Sequence, residues 1–139
     1  VFSTPYLHYA CILAGRSLVS YETDELYANM FIHHGYRHPL HEMRIVSDWD
    51  AADIERPWAV ALVDHSPSER RVIDIRRLAP FAEYLILHDS NRTKDSIYHY
   101  STIFPLFKWR TDWRGDNLQA SVLSNSVDLG HFWELNGHA

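Results

Sequence analysis

The stretch that decides the fold is Trp58-Ala-Val-Ala-Leu-Val-Asp-His-Ser-Pro-Ser-Glu-Arg70, an apolar run that ends in an acid and an imidazole. Residues 59–63 include no polar side chain, which predicts a parallel strand covered on both faces. Asp64 and His65 follow directly, at the carboxyl end of that strand. Open α/β sheets bind their ligands at this end, so these two residues are the first candidates for chemistry.

The residues after this strand predict a helix. Ser66 is placed to cap it, Pro67 suits its first turn, and Glu69 completes a capping box three residues after Ser66. The apolar stripe of this helix is Val72, Ile75, Leu78 and Ala79. Its arginines lie off that stripe and predict a solvated face: Arg70, Arg71, Arg76 and Arg77.

Composition indicates one folded domain. The 139 residues are 46% hydrophobic and carry a net charge of −5 without a long basic run, which argues against a nucleic-acid partner. No apolar run approaches the roughly 20 residues of a membrane helix. Cys11 is the only cysteine, which points to a reducing, cytoplasmic setting. We expect a single domain over 1–139 with a loose tail from about 130, and the start at Val1 without a methionine suggests a truncated chain.

Strand and helix signals alternate along the chain. Further strands are predicted at 17–21, 42–46, 84–87, 107–113 and 119–124, and helices at 5–14, 24–31 and 96–104. Gly115, between polar residues, predicts a hairpin joining the last two strands. The order predicts a doubly wound, Rossmann-like α/β sheet, mostly parallel, with an antiparallel hairpin at its carboxyl end.

Four acids follow predicted parallel strands, and right-handed crossovers would bring them to one rim of the sheet. They are Glu22, Asp48, Asp64 and Asp89. Glu22 is placed to accept the hydroxyls of a ribose, although capping the next helix is the alternative. Asp48 and Trp49 could bind an adenine, with the carboxylate on its amine and the indole stacked, or form a plain turn.

The second pair of acids suggests a metal site or an acid–base site. Asp64 and Asp89 would repel each other at neighbouring strand ends unless a cation or a proton intervened. Together with Asn91 they supply the oxygen ligands that a hard divalent cation prefers. His65 and His88 lie beside them and are candidate general bases, or else structural residues. A separate histidine group is predicted to be a solvated loop: His33, His34, His38 and His41.

These residues together resemble class I S-adenosylmethionine-dependent methyltransferases, and among them O-methyltransferase-like sequences. Residues 3–8 are similar to the segment after the glycine-rich cofactor loop, residues 19–22 to the second-strand acid, and residues 47–49 to the adenine contact. The resemblance implies that the cofactor is bound by Ser3, Thr4, Glu22, Asp48, Trp49 and Asp64. It also implies that the first strand and its glycine loop are missing from this chain.

The two later strand ends are similar to those of catechol-type O-methyltransferases. The resemblance implies Mg²⁺ held by Asp64, Asp89 and Asn91, although in that group the amide directly follows the acid, and here Ser90 stands there. Pro67 occupies the position of the group's lysine base. His65 or His88 would therefore take the proton.

The leading hypothesis is methyl transfer from S-adenosylmethionine to an oxygen nucleophile on a small molecule, without nucleic acid or membrane as partner. A nicotinamide-binding oxidoreductase is one alternative, since an acid after the second strand also suits its ribose. A degenerate association domain, open to homo-oligomerisation, is another. Its exposed apolar patch would consist of Trp109, Trp113, Phe132 and Trp133.

Overall fold

The computed structural model of the protein describes residues 3–114 and 119–132. Its helices are α1 (Ser3–Leu13), α2 (Glu25–His33), α3 (Arg71–Leu78) and the short α4 (Asp95–Tyr98). Its strands are β1 (Leu18–Glu22), β2 (His41–Ile45), β3 (Trp58–Val63), β4 (Ala82–Leu87), β5 (Trp109–Arg114) and β6 (Gln119–Ser124). In the described part of the chain, no helix is long and apolar enough to cross a membrane.

The chain forms two compact units, Val1–Ala52 and Asp53–Ala139. In the first unit, β1 and β2 pair in parallel from Leu18 opposite His41 to Glu22 opposite Ile45. Asp24 begins α2 as its N-cap, since its side chain accepts the backbone N–H groups of Leu26 and Tyr27. Helix α2 buries Ala28 and Phe31, and α1 buries His8.

The second unit contains a four-stranded sheet in the order β3-β4-β6-β5. Strands β3 and β4 are parallel, whereas β6 runs antiparallel to both β4 and β5. Its core is built from apolar residues that exclude water almost completely: Ile75, Leu85, Leu87, Ile103 and Leu123. The predicted fold class is confirmed: a mixed α/β structure with parallel strands and an antiparallel hairpin at the carboxyl end.

Three local predictions differ from the structure. Strand β3 is not covered throughout, because it is the edge strand of the sheet, and Val60 is 51% exposed. The helix predicted to begin at Pro67 begins later: a 3₁₀ turn at Ser68–Arg70 comes first, and α3 begins only at Arg71. The helix predicted over 96–104 is interrupted at His99, whose φ of 54° is left-handed, so only one helical turn and two 3₁₀ turns remain.

Some predictions concern residues or relations that the structure does not describe. The turn at 115–118, Trp133 and most of the predicted tail lie outside the described residues. The shared rim for all four acids concerns both units and stays a prediction. Within the second unit, the parallel pairing of β3 and β4 places Val63 opposite Leu87, so Asp64 and Asp89 follow neighbouring strands as predicted.

Candidate functional site

The ends of β3 and β4 form the candidate site of the second unit. His88 lies between the two acids: its Nδ1 is 3.4 Å from Asp64 Oδ1 and 3.4 Å from Asp89 Oδ2. Nδ1 is buried and has no hydrogen bond of good geometry to any described residue. The His88 side chain as a whole is nevertheless 41% exposed, so the open part of the ring lies away from Nδ1. An imidazole in this position faces negative charge on its inner side and solvent on its outer side.

Arg71 connects the two strand ends. Its Nη2 donates to Asp64 Oδ1 at 3.2 Å, and its Nε donates to the His65 carbonyl at 2.7 Å. Its Nη1 donates to Tyr100 Oη at 3.3 Å, and Tyr100 Oη donates in turn to the His88 carbonyl at 3.3 Å. Burial raises the pKa of Tyr100, which keeps its hydroxyl protonated for that bond. The guanidinium therefore holds both strand ends in a fixed relation.

Asp89 is fixed from the other side. Lys94 Nζ lies 2.7 Å from Asp89 Oδ1, and Tyr98 Oη donates to Asp89 Oδ2 at 3.2 Å. Burial acts to raise the pKa of Asp89, but Lys94, His88 and Tyr98 outweigh it and hold that pKa below its ordinary value. The backbone of Asp89 is left-handed, with φ at 58°, a conformation that a short polar side chain tolerates. The Asp89 carboxylate is thus ionised, and its neighbours hold it in one orientation.

These contacts do not fit the predicted Mg²⁺ site. The repulsion between Asp64 and Asp89 is relieved by cationic side chains of the protein, since Arg71 contacts Asp64 and Lys94 contacts Asp89. Asn91 donates from Nδ2 to Thr93 Oγ1 at 3.0 Å. Among the described residues, no group of three or more His, Cys, Asp or Glu could hold a metal ion. Asp64, Asp89 and Asn91 are therefore not supported as magnesium ligands.

His65 belongs to a different cluster. Its Nε2 lies 3.0 Å from Asp74 Oδ2, and Asp74 is buried on α3 with a side chain only 4% exposed. Arg70 donates twice to the same carboxylate at 2.9 Å, and Arg77 donates once at 3.0 Å. The nitrogen of His65 that would take a proton is engaged in this ion-pair cluster. Of the two predicted bases, His88 has the more suitable surroundings.

The predicted solvated arginine face is wrong for most of its members. The Arg71 side chain is 7% exposed, and those of Arg70 and Arg77 are 16% and 17% exposed. Only Arg76 is exposed as predicted; it donates to Thr102 Oγ1 at 3.4 Å. Burial is tolerated because each of the buried guanidinium groups meets a carboxylate.

In the first unit, two of the predicted cofactor residues serve as local caps. Glu22 Oε1 accepts the backbone N–H groups of Thr23 at 2.9 Å and Asp24 at 3.1 Å. Asp48 Oδ1 accepts the backbone N–H of Ala51 at 3.0 Å, which begins the 3₁₀ turn Trp49–Ala51. A carboxylate accepts about four hydrogen bonds, so both acids keep acceptor capacity for a ligand hydroxyl or amine. Their contact with an adenosine group stays a prediction.

The remaining cofactor candidates lie on helical turns of the same unit. Ser3 and Thr4 are half-buried in the first turn of α1, and Trp49 is half-buried beside Asp48. The role of each toward a cofactor stays a prediction.

The histidine loop prediction is wrong for His41. Its Nδ1 lies 2.8 Å from Nδ1 of the buried His8, and its Nε2 lies 2.9 Å from Ser20 Oγ. His41 is the first residue of β2, and this contact joins α1, β1 and β2. The His8–His41 pair connects elements of the fold, and no local sequence pattern could have predicted it, because its members are 33 residues apart.

Sequence reasoning missed the residues that organise the site. Arg71, Asp74, Lys94, Tyr98 and Tyr100 carry most of its contacts, yet none follows a strand. One available signal was the placement of Asp74 at i+4 from Arg70 and three residues before Arg77, the spacing of helical ion pairs.

The comparisons with known proteins define the class of fold. No family model matches the chain, and no curated protein matches it. Solved structures do match, and the fold they share is the Rossmann-like α/β fold of methyltransferases.

Two such structures are a delta-N METTL16 methyltransferase domain and a METTL16 methyltransferase domain in a second crystal form. The first is 12% identical with a TM-score of 0.53, covering 83% of this chain and 66% of that one. The second is 11% identical with a TM-score of 0.52, covering 85% and 54%. The chain thus spans less than two thirds of the length of either structure. The resemblance to class I methyltransferases is supported at the level of fold, whereas the O-methyltransferase subtype is not.

The predicted partner is wrong. The matched structures are domains of METTL16, an RNA methyltransferase, and this conflicts with the expected small-molecule acceptor and with the exclusion of nucleic acid. The exclusion relied on the net charge of −5, which averages over the whole surface. A binding site needs only a few favourable side chains in one place.

Proposed function

We propose that the protein takes part in methyl transfer from S-adenosylmethionine to an oxygen nucleophile carried by a nucleic acid. The fold likeness to methyltransferase domains supports the reaction class. The placement of His88 between Asp64 and Asp89, at the ends of adjacent parallel strands, is the observation that carries the proposal.

His88 is proposed to receive the proton of the acceptor hydroxyl. A proton bound at Nε2, on the open side of the ring, makes the imidazole cationic, and the carboxylates beside Nδ1 stabilise that charge. Arg71 and Lys94 hold the two carboxylates in place, so the site needs little reorganisation when the proton moves.

The cofactor is proposed to be held by the first unit. Glu22 would accept a ribose hydroxyl, and Asp48 with Trp49 would contact the adenine, while Ser3 and Thr4 lie on the first turn of α1. When bound, S-adenosylmethionine supplies a methyl group on a positively charged sulfur, open to in-line attack. Neither matched structure is an oxidoreductase, so the nicotinamide alternative gains no support from them.

The test uses the full chain. Calorimetric titration with S-adenosylhomocysteine checks cofactor binding, and incubation with methyl-labelled S-adenosylmethionine and an oligoribonucleotide checks transfer. We expect His88→Gln to bind the cofactor product normally and to lose transfer by at least about 100-fold, the usual contribution of a general base. His33→Gln, at an exposed position on α2, is the matched control and should leave transfer unchanged. Full transfer by His88→Gln, or no cofactor binding by the native chain, contradicts the proposal.

A further inference from the structure

A cavity in the second unit, Asp53–Ala139, is lined by Ser90, the residue that directly follows Asp89. It has a volume of about 520 Å³, within the range of small-molecule pockets. Two arginines, two acids and an aromatic ring give its lining chemical character: Arg92, Arg110, Asp95, Asp112 and Phe104. The reaction described above does not use this cavity.

One wall of the cavity is a flat cationic platform. The Arg110 guanidinium carbon lies 3.5 Å from the centre of the Phe104 ring. Asp112 accepts from Arg110 Nε at 2.8 Å and from Nη2 at 2.9 Å, which occupies one edge of the group. One face and one edge are therefore engaged, and the Arg110 side chain, which lines the cavity, is still 34% exposed. A guanidinium plane supported in this way is suited to stacking on a nucleobase.

A buried hydrogen-bond chain fixes this platform. Ser121 Oγ donates to Asp112 Oδ1 at 2.6 Å and shares a 2.8 Å hydrogen bond with Ser90 Oγ. Ser121 is fully buried and Ser90 is 5% exposed. The Ser90 backbone N–H also donates to the carbonyl of Gln119 at 2.9 Å, which joins the end of β4 to the start of β6. The platform is held in place before any ligand arrives, which lowers the entropy cost of binding.

Arg92 supplies a second, different feature. It is exposed on the 3₁₀ turn Arg92–Lys94, and its side chain makes no hydrogen bond or ion pair to any residue that the structure describes. Arg110 is paired with Asp112, and the other acid of the lining, Asp95, accepts hydrogen bonds from the backbone N–H and the hydroxyl of Ser101. Arg92 is therefore the cation of the lining whose side chain has no acidic partner among the described residues. A free guanidinium group favours a phosphate, which it can bind through two parallel hydrogen bonds. Platform and free charge together match a heterocyclic base with a phosphate beside it.

We propose that this cavity binds one nucleotide of a single-stranded nucleic acid, with the base stacked on Arg110 and a phosphate on Arg92. The inference rests on the proposed function, since a nucleotide here would present a neighbouring part of the strand to His88 and Asp89. It also reconciles a nucleic-acid partner with a net charge of −5. Binding through one base and one phosphate needs no broad basic surface.

The test measures fluorescence anisotropy of a fluorescein-labelled single-stranded oligoribonucleotide titrated with the full chain, without cofactor, at several salt concentrations. A deoxyribonucleotide strand and a duplex of the same sequence form the other arms. Arg110→Lys keeps the positive charge beside Asp112 but removes the flat surface, and we expect about tenfold weaker binding. We expect Arg92→Gln to weaken binding and to lower the slope of log affinity against log salt by about 1.

Arg16→Gln is the matched control, because Arg16 is exposed and lies outside the cavity, and its side chain makes no hydrogen bond or ion pair to a described residue. It makes the same change of charge and should leave the affinity within about twofold. Circular dichroism checks that all variants fold. Preferred binding of either single strand over the duplex, with losses confined to the cavity variants, supports the inference.

Equal losses in all three variants, preferred binding of the duplex, or no binding of any strand overturns the inference. Failure here is separable from failure of the proposed function. A chain that binds S-adenosylhomocysteine but no strand refutes only the nucleotide site. A chain that binds the strand through Arg110 but no S-adenosylhomocysteine refutes the methyl-transfer proposal.

Discussion

Replacing Asp74 by Asn tests whether His65 is a structural residue held by an ion-pair cluster. Asp74 is buried, accepts from Arg70 and Arg77 at 2.9 and 3.0 Å, and lies 3.0 Å from His65 Nε2. Asp74→Asn keeps the shape of the side chain and removes its charge. Two guanidinium groups and an imidazole then face a neutral amide in place of a carboxylate, although Arg77 keeps its ion pair with Glu55 at 2.9 Å.

The pKa of Asp74 sets a lower limit for the effect. Burial acts to raise that pKa, but hydrogen bonds from His65, Arg70 and Arg77 outweigh it and lower the pKa from 3.8 to about 2. A difference of this size corresponds to about 2 kcal/mol of stability. Breaking a buried ion pair costs about 3 to 5 kcal/mol, because the partners left behind are desolvated. The expected loss for Asp74→Asn at pH 7 therefore lies between about 2 and 5 kcal/mol.

The sign of the pH dependence is also determined. A carboxyl whose folded pKa is lowered stabilises the protein above its unfolded pKa, and this contribution is lost as pH falls through the folded pKa. The difference between native chain and variant should hold steady from pH 7 to about pH 4 and shrink below it.

Urea denaturation at several pH values, followed by circular dichroism, measures both effects, and thermal melts should show a decrease of at least about 5 °C at pH 7. Glu69→Gln is the control, because Glu69 is an exposed acid five residues away, and it should change stability by less than about 0.5 kcal/mol. A variant as stable as the native chain, or a loss that stays constant down to pH 2, would refute the reasoning.

Three further outcomes are expected. His65→Gln should lower stability while leaving the rate of methyl transfer within a few-fold, because its nitrogen is engaged by Asp74; a loss as large as that of His88→Gln would contradict this. Adding Mg²⁺ to the full chain should not raise its melting temperature, because Arg71 and Lys94 contact the carboxylates; a concentration-dependent rise would revive the metal site. Stability should decrease as pH falls below 6.5, because burial and His8 lower the pKa of His41, so the unfolded chain binds the proton first. Urea midpoints of the native chain and of His41→Gln, measured across this pH range, check the prediction. Parallel curves of midpoint against pH for the two proteins would contradict it.

The elements of the fold were predictable where their signal is local. The apolar run at Trp58–Val63, the strand at Ala82–Leu87 and the hairpin strands each carry their own pattern of apolar residues and breakers. The neighbourhood of Asp64 and Asp89 followed from the same pattern, because strands joined by one helix pair in parallel. The prediction was wrong for the start of α3, which lies at Arg71, after a 3₁₀ turn, and not at Pro67.

The surroundings of the site were less predictable because burial of charge depends on distant residues. Arg71 contacts Asp64 and the His65 carbonyl, and Tyr100, 29 residues later in the chain, accepts its remaining Nη1 hydrogen bond. Periodicity identifies the apolar face of a helix but treats every charged residue off that face as solvated. It cannot indicate which arginines form ion pairs with buried carboxylates.

The acid pair shows how one physical premise can be met in two ways. Two carboxylates at neighbouring strand ends need positive charge between or beside them, and the sequence alone suggested Mg²⁺. Arg71, Lys94 and His88 provide that charge from within the chain. Guanidinium and ammonium groups only donate hydrogen bonds, whereas a neutral imidazole also has an acceptor nitrogen. His88 is therefore the cationic partner of the two acids that can also receive a proton, which is what a base for an acceptor hydroxyl must do.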